Sequence, residues 1–300
     1  MLRGFNRSLA ALLPYLPKPL VGLFARRYVA GETVEEALRA AGELNAGGFQ
    51  ATLDILGDQV ASREEAFLVA GAYAHLYHQI AGANLRANIS LKPTHLGLNL
   101  GRGICEENLL TVLEAARATG NFLRIDMEGS PYTGDTLDLY RTCREQYPEV
   151  GPALQAYLHR SRDDLTQLLS PALNVRICKG IYREPPDRAI QDREAINESF
   201  LGLVRQAFDG GAYVAIATHD LTLINRILAL IRERQIPTPR FEFQTLHGVP
   251  MGGQREALLR EGFRVRVYLP FGEAWHEYSL RRLRENPDIV GYVLGNLWRK

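Results

Sequence analysis

The amino-acid sequence predicts an α/β fold, a single (β/α)8 TIM-like barrel preceded by N-terminal helices. Eight short apolar, β-branched runs alternate with longer helical patterns, and such alternation is typical of a parallel sheet. The length of 300 residues suits one barrel, which needs about 250 residues. The first strand is followed by Leu56-Gly57-Asp58, which lacks the glycine-rich turn typical of an open, doubly wound sheet. We therefore expect a helical segment at 1–47 and a barrel at 48–300.

The individual elements follow from local signals. Thr33 and Glu36 predict a capping box, and apolar residues with helical spacing continue from there to residue 44. Ser62 and Glu65 predict a second box, which opens the first barrel helix. A final apolar helix or a docking segment is predicted at 289–298. The predicted barrel strands are 51–56, 87–91, 122–125, 153–157, 175–178, 213–217, 241–244 and 264–268. The remaining barrel helices are predicted near 106–119, 135–146, after Ser161, and near 189–208, 221–234, 254–261 and 274–285.

Composition and charge exclude several classes of protein. The chain has 35 basic and 34 acidic residues, so no global positive field draws it to nucleic acid. Its three cysteines are widely spaced and predict neither a disulfide framework nor a zinc cluster. The histidines show no metal-ligand spacing. The apolar run near residue 10 is broken by prolines, so we expect a cytoplasmic protein whose contact with the inner membrane face, if any, is peripheral.

Polar residues follow the predicted strands at their C-terminal ends. Barrel strands are expected to be apolar in their middles, because both faces are buried. The active sites of such barrels lie at the C-terminal end of the strands. Any one polar residue there can simply meet solvent at the rim, whereas a complete ring favours a binding site. The ring consists of Asp54, Lys92, Asp126, Gln155, Arg176, Lys179, Thr218, His219, Gln244 and Tyr268.

Two groups within this ring suggest an anionic ligand. Lys92 and Asp126 end adjacent strands and are expected to pair, either as a structural ion pair or as part of a site. The last barrel helix carries a stripe that is either a solvated face or a carboxylate clamp built on two guanidinium groups. The stripe consists of Tyr278, Arg281, Arg282 and Glu285. At the end of the fifth strand, Arg176, Lys179 and Gly180 suit a phosphate or a cofactor ring, since glycine allows a ligand to approach closely.

At these residues the sequence resembles the proline dehydrogenase family, in its short, monofunctional bacterial type. Each motif alone is weak, but the motifs occur together and in order from about residue 33 onward. The segments that carry the resemblance are LRIDME at 123–128, LQAY at 154–157, VRICKGIY at 175–182, ATHD at 217–220, FEFQTLHG at 241–248, RVYLPFG at 266–272 and the pair at 281–282.

The resemblance implies an FAD-dependent enzyme that oxidises L-proline to Δ1-pyrroline-5-carboxylate and passes electrons to a quinone. It implies that Lys92, Arg281 and Arg282 hold the substrate carboxylate and that Asp126 orients Lys92 and Tyr268. Tyr268, Tyr278 and Leu246 are expected to line the substrate pocket, with Glu285 supporting the arginines. Asp58 stands where the family usually has a glutamate that forms a gate. The expected flavin contacts are Gln155, Arg176, Lys179, Gly180, Thr218, His219 and Gln244.

Two other functions remain open from the residues themselves. Lys92 and Lys179 both follow strands, and a desolvated lysine at that position is typical of Schiff-base aldolases and lyases. A barrel without catalytic activity that binds an anionic metabolite or a protein partner is the other alternative. A bound flavin that is bleached by proline distinguishes the dehydrogenase from both.

Overall fold

The computed structural model describes residues 27–285, with side chains to residue 280. Its central feature is a closed barrel of eight parallel strands, in which each strand pairs with the next along the chain and β1 pairs with β8. The predicted (β/α)8 barrel is confirmed. The strands are β1 (Gln50–Ile55), β2 (Ala87–Leu91), β3 (Leu123–Ile125), β4 (Val150–Gln155), β5 (Asn174–Cys178), β6 (Tyr213–Ala217), β7 (Phe241–Leu246) and β8 (Val265–Phe271).

The α-helices of this part of the chain alternate with the strands, as the sequence predicts. The helix that precedes the barrel packs against β1 and β8, beside the seam where the barrel closes. No helix among the described residues is long and apolar enough to cross a membrane. The helices are α1 (Val34–Ala46), α2 (Arg63–Gly82), α3 (Arg102–Ala118), α4 (Thr133–Gln146), α5 (Ser161–Leu168), α6 (Arg193–Asp209), α7 (Leu221–Glu233), α8 (Gln254–Arg260) and α9 (Trp275–Glu285).

Side-chain caps set where several helices begin. The capping box of Thr33 and Glu36 is present at α1. At α2, Ser62 accepts from the Glu65 amide, but the Glu65 carboxylate bonds the amide of Ala61 instead of completing the box. Helix α6 begins at residue 193 rather than 189, because the Asp192 side chain caps it. The predicted helix at 289–298 and most of the predicted segment 1–47 lie outside the described residues.

The strands are not apolar on both faces, so the expectation of apolar strand middles is wrong. One set of alternating residues, such as Leu53 and Ile89, belongs to the core between the sheet and the helices. The other set lies between these positions, and it includes Arg124 at 2% exposure and Glu242 at 3%. Successive side chains of a strand point to opposite faces, so this second set lines the barrel axis. Hydrogen bonds to neighbouring strands and to one another make the burial of these polar groups tolerable.

Helix α9 begins at the open end of the barrel. Trp275 and Tyr278 pack against a small cluster of Val29 and Leu56, and Leu56 directly follows the C-terminal end of β1. The described start of α9 therefore lies beside the strand ends that carry the polar ring.

Candidate active site

A buried ion pair joins the ends of the first two strands. Lys92 Nζ donates to Asp54 Oδ2 at 2.7 Å, and the side chains are 14% and 2% exposed. Burial opposes the charge on Lys92, but the carboxylates of Asp54 and Asp126 outweigh it and raise the pKa of Lys92. Lys92 is therefore an ammonium group at the barrel mouth, and its hydrogen-bond partner is Asp54 rather than the predicted Asp126.

Asp126 is instead the acceptor for two side chains from distant strands. The Arg176 guanidinium donates to one of its carboxylate oxygens, and the Tyr268 hydroxyl donates to the other at 2.9 Å. Burial and the carboxylates of Asp126 and Asp54 raise the pKa of Tyr268, so the hydroxyl stays protonated and acts as a donor. The guanidinium carbon of Arg176 lies 5.3 Å from the centre of the Tyr268 ring, within cation–π range.

Arg176 is held on its other side by β7. Its Nε donates to Gln244 Oε1 at 2.6 Å, and its Nη1 also donates to Ser90 Oγ at 3.0 Å. Gln244 Nε2 in turn donates to Glu242 Oε1 at 2.6 Å. The structure thus brings Arg176, Gln244, Asp126 and Tyr268 together across the barrel axis.

Lys179 and His219 are tied to the loops that follow β5 and β6. Lys179 Nζ donates to Asp220 Oδ2 at 2.6 Å, and Asp220 also caps α7. His219 Nε2 accepts from the backbone amide of Leu246 at 2.8 Å, and burial lowers the pKa of His219 to about 4. His219 is therefore neutral at physiological pH, with its proton on Nδ1.

Gln155, Thr218 and Gly180 complete the predicted cofactor set. Gln155 Nε2 donates to the backbone oxygen of Glu128 at 2.8 Å, and Thr218 Oγ1 accepts from the amide of Asp220. Gly180 has a φ of 108°, and a Cβ at this position would lie 2.2 Å from the Tyr157 ring. Within the protein itself, packing against Tyr157 is thus already sufficient reason for glycine, beyond the ligand approach expected from the sequence.

The predicted substrate residues are only partly described. Leu246 lies at the end of β7, and Tyr278 packs at the start of α9 beside Leu56. The side chains of Arg281, Arg282 and Glu285 lie outside the described residues, so the carboxylate clamp stays a prediction. Asp58 lies in the loop after β1 and directly follows Gly57. A Cβ on Gly57 would lie 2.1 Å from His95 Nε2, so the loop passes close to the His95 ring.

Comparison with known proteins assigns the family. The family model described as proline dehydrogenase matches residues 37–293. The chain belongs to the proline dehydrogenase family. It is 37% identical to proline dehydrogenase 1 of Bacillus subtilis strain 168 over 278 residues, which cover 93% of this chain and 92% of that protein. It is 32% identical to the proline dehydrogenase of Deinococcus radiodurans, over 90% of this chain and 88% of that protein.

Solved structures agree with the fold. Proline utilization A from Bdellovibrio bacteriovorus, in a crystal structure of the protein inactivated by N-propargylglycine, superimposes with a TM-score of 0.81 at 23% identity. The match covers 88% of this chain and 32% of that one, so this chain spans about a third of the larger protein. A structure of Bradyrhizobium japonicum proline utilization A gives a TM-score of 0.72 at 20% identity.

Membership of this family implies a flavin cofactor, and the residues at the mouth fit one. Arg176 is 6% exposed, and its Nη2 is a buried donor without a hydrogen-bond partner in the described part of the chain. A buried donor that stays unsatisfied costs about 1–3 kcal/mol. The ring nitrogens and carbonyl oxygens of a flavin are acceptors of the kind that this donor lacks.

Sequence reasoning missed residues that support the site from behind. Glu128 accepts from the amide and the hydroxyl of Thr94 at 2.9 and 2.6 Å, which holds the turn that follows Lys92. Tyr73 of α2 reaches Asp54 Oδ1 at 3.3 Å. Asp54 was among the polar strand ends predicted from the sequence, but its contact with Tyr73 was not. Tyr73 lies within a helix and gave no sequence signal, whereas Glu128 lies in the motif at 123–128 and could have been found from it.

Proposed function

We propose that this chain catalyses the FAD-dependent oxidation of L-proline to Δ1-pyrroline-5-carboxylate and passes the electrons to a quinone, as the first step of proline breakdown. One observation carries the proposal: two cations, the partly buried Lys92 and the buried Arg176, lie at the barrel mouth, held by the carboxylates of Asp54 and Asp126. In a member of the proline dehydrogenase family, such a cluster suits an anionic substrate beside an electron-accepting ring.

The substrate carboxylate would be bound by Lys92 together with Arg281 and Arg282. Two guanidinium groups offer paired donors that suit a planar carboxylate, and Glu285 would hold them in position. Tyr268, Tyr278 and Leu246 would line the pocket around the ring. Asp126 would orient Tyr268, since it accepts the bond from the tyrosine hydroxyl. Binding through the carboxylate would decide which ring carbon faces the cofactor.

FAD would be held by the polar residues of the opposite half of the mouth. Its flavin, when bound, accepts at N5 the hydride that leaves the substrate carbon next to nitrogen. The protein would contribute by orienting the substrate and by excluding water. The residues proposed to contact the cofactor are Gln155, Arg176, Lys179, Gly180, Thr218, His219 and Gln244.

A Schiff-base function is disfavoured by the state of Lys92. Imine formation requires a neutral amine as the nucleophile. The raised pKa of Lys92 and its bond to Asp54 keep the amine protonated. No observation on the described residues favours this alternative or a barrel without catalytic activity.

The colour of the purified protein tests the proposed function. We expect flavin absorbance that is bleached when L-proline is added without an electron acceptor. We also expect bleaching to become faster as the pH rises through the pKa of the bound amine, because only the neutral amine has a lone pair to form the carbon–nitrogen double bond. A protein that is purified and reconstituted with FAD, yet stays oxidised in excess proline, would contradict the proposal.

The clamp is tested separately. We expect Arg281→Met or Arg282→Met to weaken proline binding at least about tenfold, equivalent to about 1.4 kcal/mol. The measurement is the dissociation constant of proline from spectral titration, with Arg63→Met, an exposed arginine on α2, as a matched control. Unchanged proline affinity in both variants would contradict the proposed clamp without contradicting the proposed redox chemistry.

A further inference from the structure

Glu242 is a buried carboxylate that the proposed function does not use. It lies in β7, two residues deeper in the barrel than Gln244, and is 3% exposed. Burial opposes its charge, but Arg266, whose Nε donates to Glu242 Oε1 at 2.8 Å, outweighs it, so the pKa of Glu242 is lowered. Glu242 is therefore ionised and can only accept hydrogen bonds.

This carboxylate determines which way the amide of Gln244 points. An amide can be rotated by 180° with almost no change of shape, so its partners must choose its orientation. Here Gln244 Nε2 donates to Glu242 Oε1 at 2.6 Å, and Gln244 Oε1 accepts from Arg176 Nε at 2.6 Å. In the reversed orientation, the amide NH2 would face the guanidinium and the amide oxygen would face the carboxylate, and both contacts would be repulsive.

The orientation of Gln244 in turn fixes the plane of Arg176. Arg176 donates through Nε to Gln244 on one side and through Nη1 to Asp126 and Ser90 on the other. A guanidinium held at two sides cannot rotate about its Cδ–Nε bond. Its Nη2, the buried donor without a partner among residues 27–285, is thereby held in one direction.

We propose that Glu242 is a positioning residue that acts through Gln244 on Arg176 and so sets how Arg176 meets the flavin. The inference rests on the proposed function, because it assumes that Arg176 contacts FAD. Glu242 itself lies two residues before Gln244 in β7 and is buried, so it would act without touching the ligand. Glu242 acts on Arg176 by selecting one of the two orientations of the Gln244 amide.

A purely structural role predicts a different pattern of variants. Glu242 also neutralises Arg266, and in that role any loss of its charge would be equally harmful. Glu242→Gln removes the charge but keeps an acceptor: its amide oxygen can take the position of Oε1, and its NH2 that of Oε2, which has no partner within the described chain. Glu242→Met removes both the charge and the acceptor. Comparing the two variants therefore separates the effect of the acceptor from the effect of the charge.

The experiment measures FAD rather than turnover. The dissociation constant of FAD from the apoprotein is measured by quenching of flavin fluorescence, and the reduction potential of the bound flavin is measured beside it. We expect Glu242→Met to weaken FAD binding about fivefold or more and to lower the potential, because the cation is less well placed to stabilise the reduced ring. We expect Glu242→Gln to stay within about twofold of the wild type in affinity.

Controls keep the outcome interpretable. Thr52→Val removes a 2.6 Å hydrogen bond to Asn88 in the same barrel interior, and we expect it to leave both readouts unchanged. Because Glu242→Met leaves Arg266 without its carboxylate partner, the double variant Glu242→Met with Arg266→Met is compared with Arg266→Met alone. Adding Glu242→Met to a Gln244→Met background should cause almost no further loss, since a residue that acts through Gln244 has nothing left to orient.

The outcomes distinguish a failure of the positioning role from a failure of the proposed function. Wild-type affinity and potential in Glu242→Met, or equal losses in Glu242→Gln and Glu242→Met, would overturn the positioning role. Additive losses in the Gln244→Met background would do the same. A wild-type protein that binds no FAD would instead contradict the proposed function.

Discussion

The two ends of the barrel interior both contain buried arginines, but they use them differently. Near the N-terminal end, Arg124 donates to the backbone oxygens of Pro152 and Asn174 at 2.8 and 2.7 Å. At the mouth, the hydrogen bonds that Arg176 and Lys92 donate within the described part of the chain go to side-chain oxygens. The first kind of cation ties neighbouring strands together through their main chains. The second kind is held by side chains.

This difference shows how to recognise a site among many buried charges. A cation bonded to main-chain carbonyls is committed to the fold, because moving it would expose the carbonyls of two strands. A cation bonded to carboxylates and amides leaves the strand carbonyls to the sheet, and a donor that these partners leave free, such as Arg176 Nη2, can meet a ligand. Burial alone does not distinguish the two, since Arg124 and Arg176 are 2% and 6% exposed.

The largest expected effect is a loss of stability caused by a substitution near the N-terminal end of the barrel interior. Arg124→Met removes the side-chain donor to two backbone oxygens and to the Asn174 side chain, and we expect a loss of about 3–5 kcal/mol in the free energy of unfolding. Denaturant unfolding measures it. The proline affinity of the folded fraction should stay at the wild-type value. A loss of affinity comparable to that of Lys92→Met would contradict the distinction between the two ends of the barrel.

The next effect depends on pH and concerns His219. Its folded pKa of about 4 lies below the ordinary value of 6.5, so the neutral ring stabilises the fold above pH 6.5 and this contribution is lost as the pH falls toward 4. Relative to His219→Gln, which keeps an acceptor for the Leu246 amide, we expect the wild type to lose roughly 2–3 kcal/mol more across this window.

Unfolding free energies measured at several pH values test this prediction for His219. His75→Gln, on the exposed face of α2, is the control. Parallel pH profiles for the wild type and His219→Gln would show that the pKa of His219 is the same in the folded and the unfolded protein, and would contradict the prediction.

At the mouth, Lys92→Met should affect binding more than folding. We expect proline affinity to fall at least about tenfold, or about 1.4 kcal/mol, because one cation of the proposed clamp is lost. The cost to stability should be smaller than that of Arg124→Met, since burial raises the pKa of Asp54 and lets it take up a proton when Lys92 is gone. Spectral titration with proline and denaturant unfolding together measure the two effects. The reverse ranking of the two variants would contradict the distinction between the barrel ends.

The smallest expected effect compares two tyrosines of one helix. Tyr73 and Tyr77 are both fully buried in α2, but Tyr73 reaches Asp54 whereas Tyr77 donates to the backbone oxygen of Phe122 at 3.0 Å. We expect Tyr73→Phe and Tyr77→Phe each to cost about 1 kcal/mol in stability. Only Tyr73→Phe should also weaken proline binding, by about threefold. Equal affinities in the two variants would mean that Tyr73 does not support Lys92 through Asp54.

Most of the fold could be predicted because its signals are local. Capping residues such as Thr33 and alternating apolar runs lie within a few positions of the structure that they specify. Helix α6 shows the limit: the apolar pattern extended to residue 189, but the cap at Asp192 decided where the helix begins. The fourth strand was predicted at 153–157 and forms at Val150–Gln155, since a proline and a glycine concealed its start.

The sequence by itself determined the number and order of the strands, and it identified the strand ends that carry polar groups. Only the tertiary structure decided that Lys92 pairs with Asp54, that Asp126 joins Arg176 to Tyr268, and that Glu242 lies behind Gln244. The physical reason is closure of the barrel. Closure brings β3, β5, β7 and β8 within hydrogen-bond distance across a common axis, and no spacing along the chain encodes which side chains meet there.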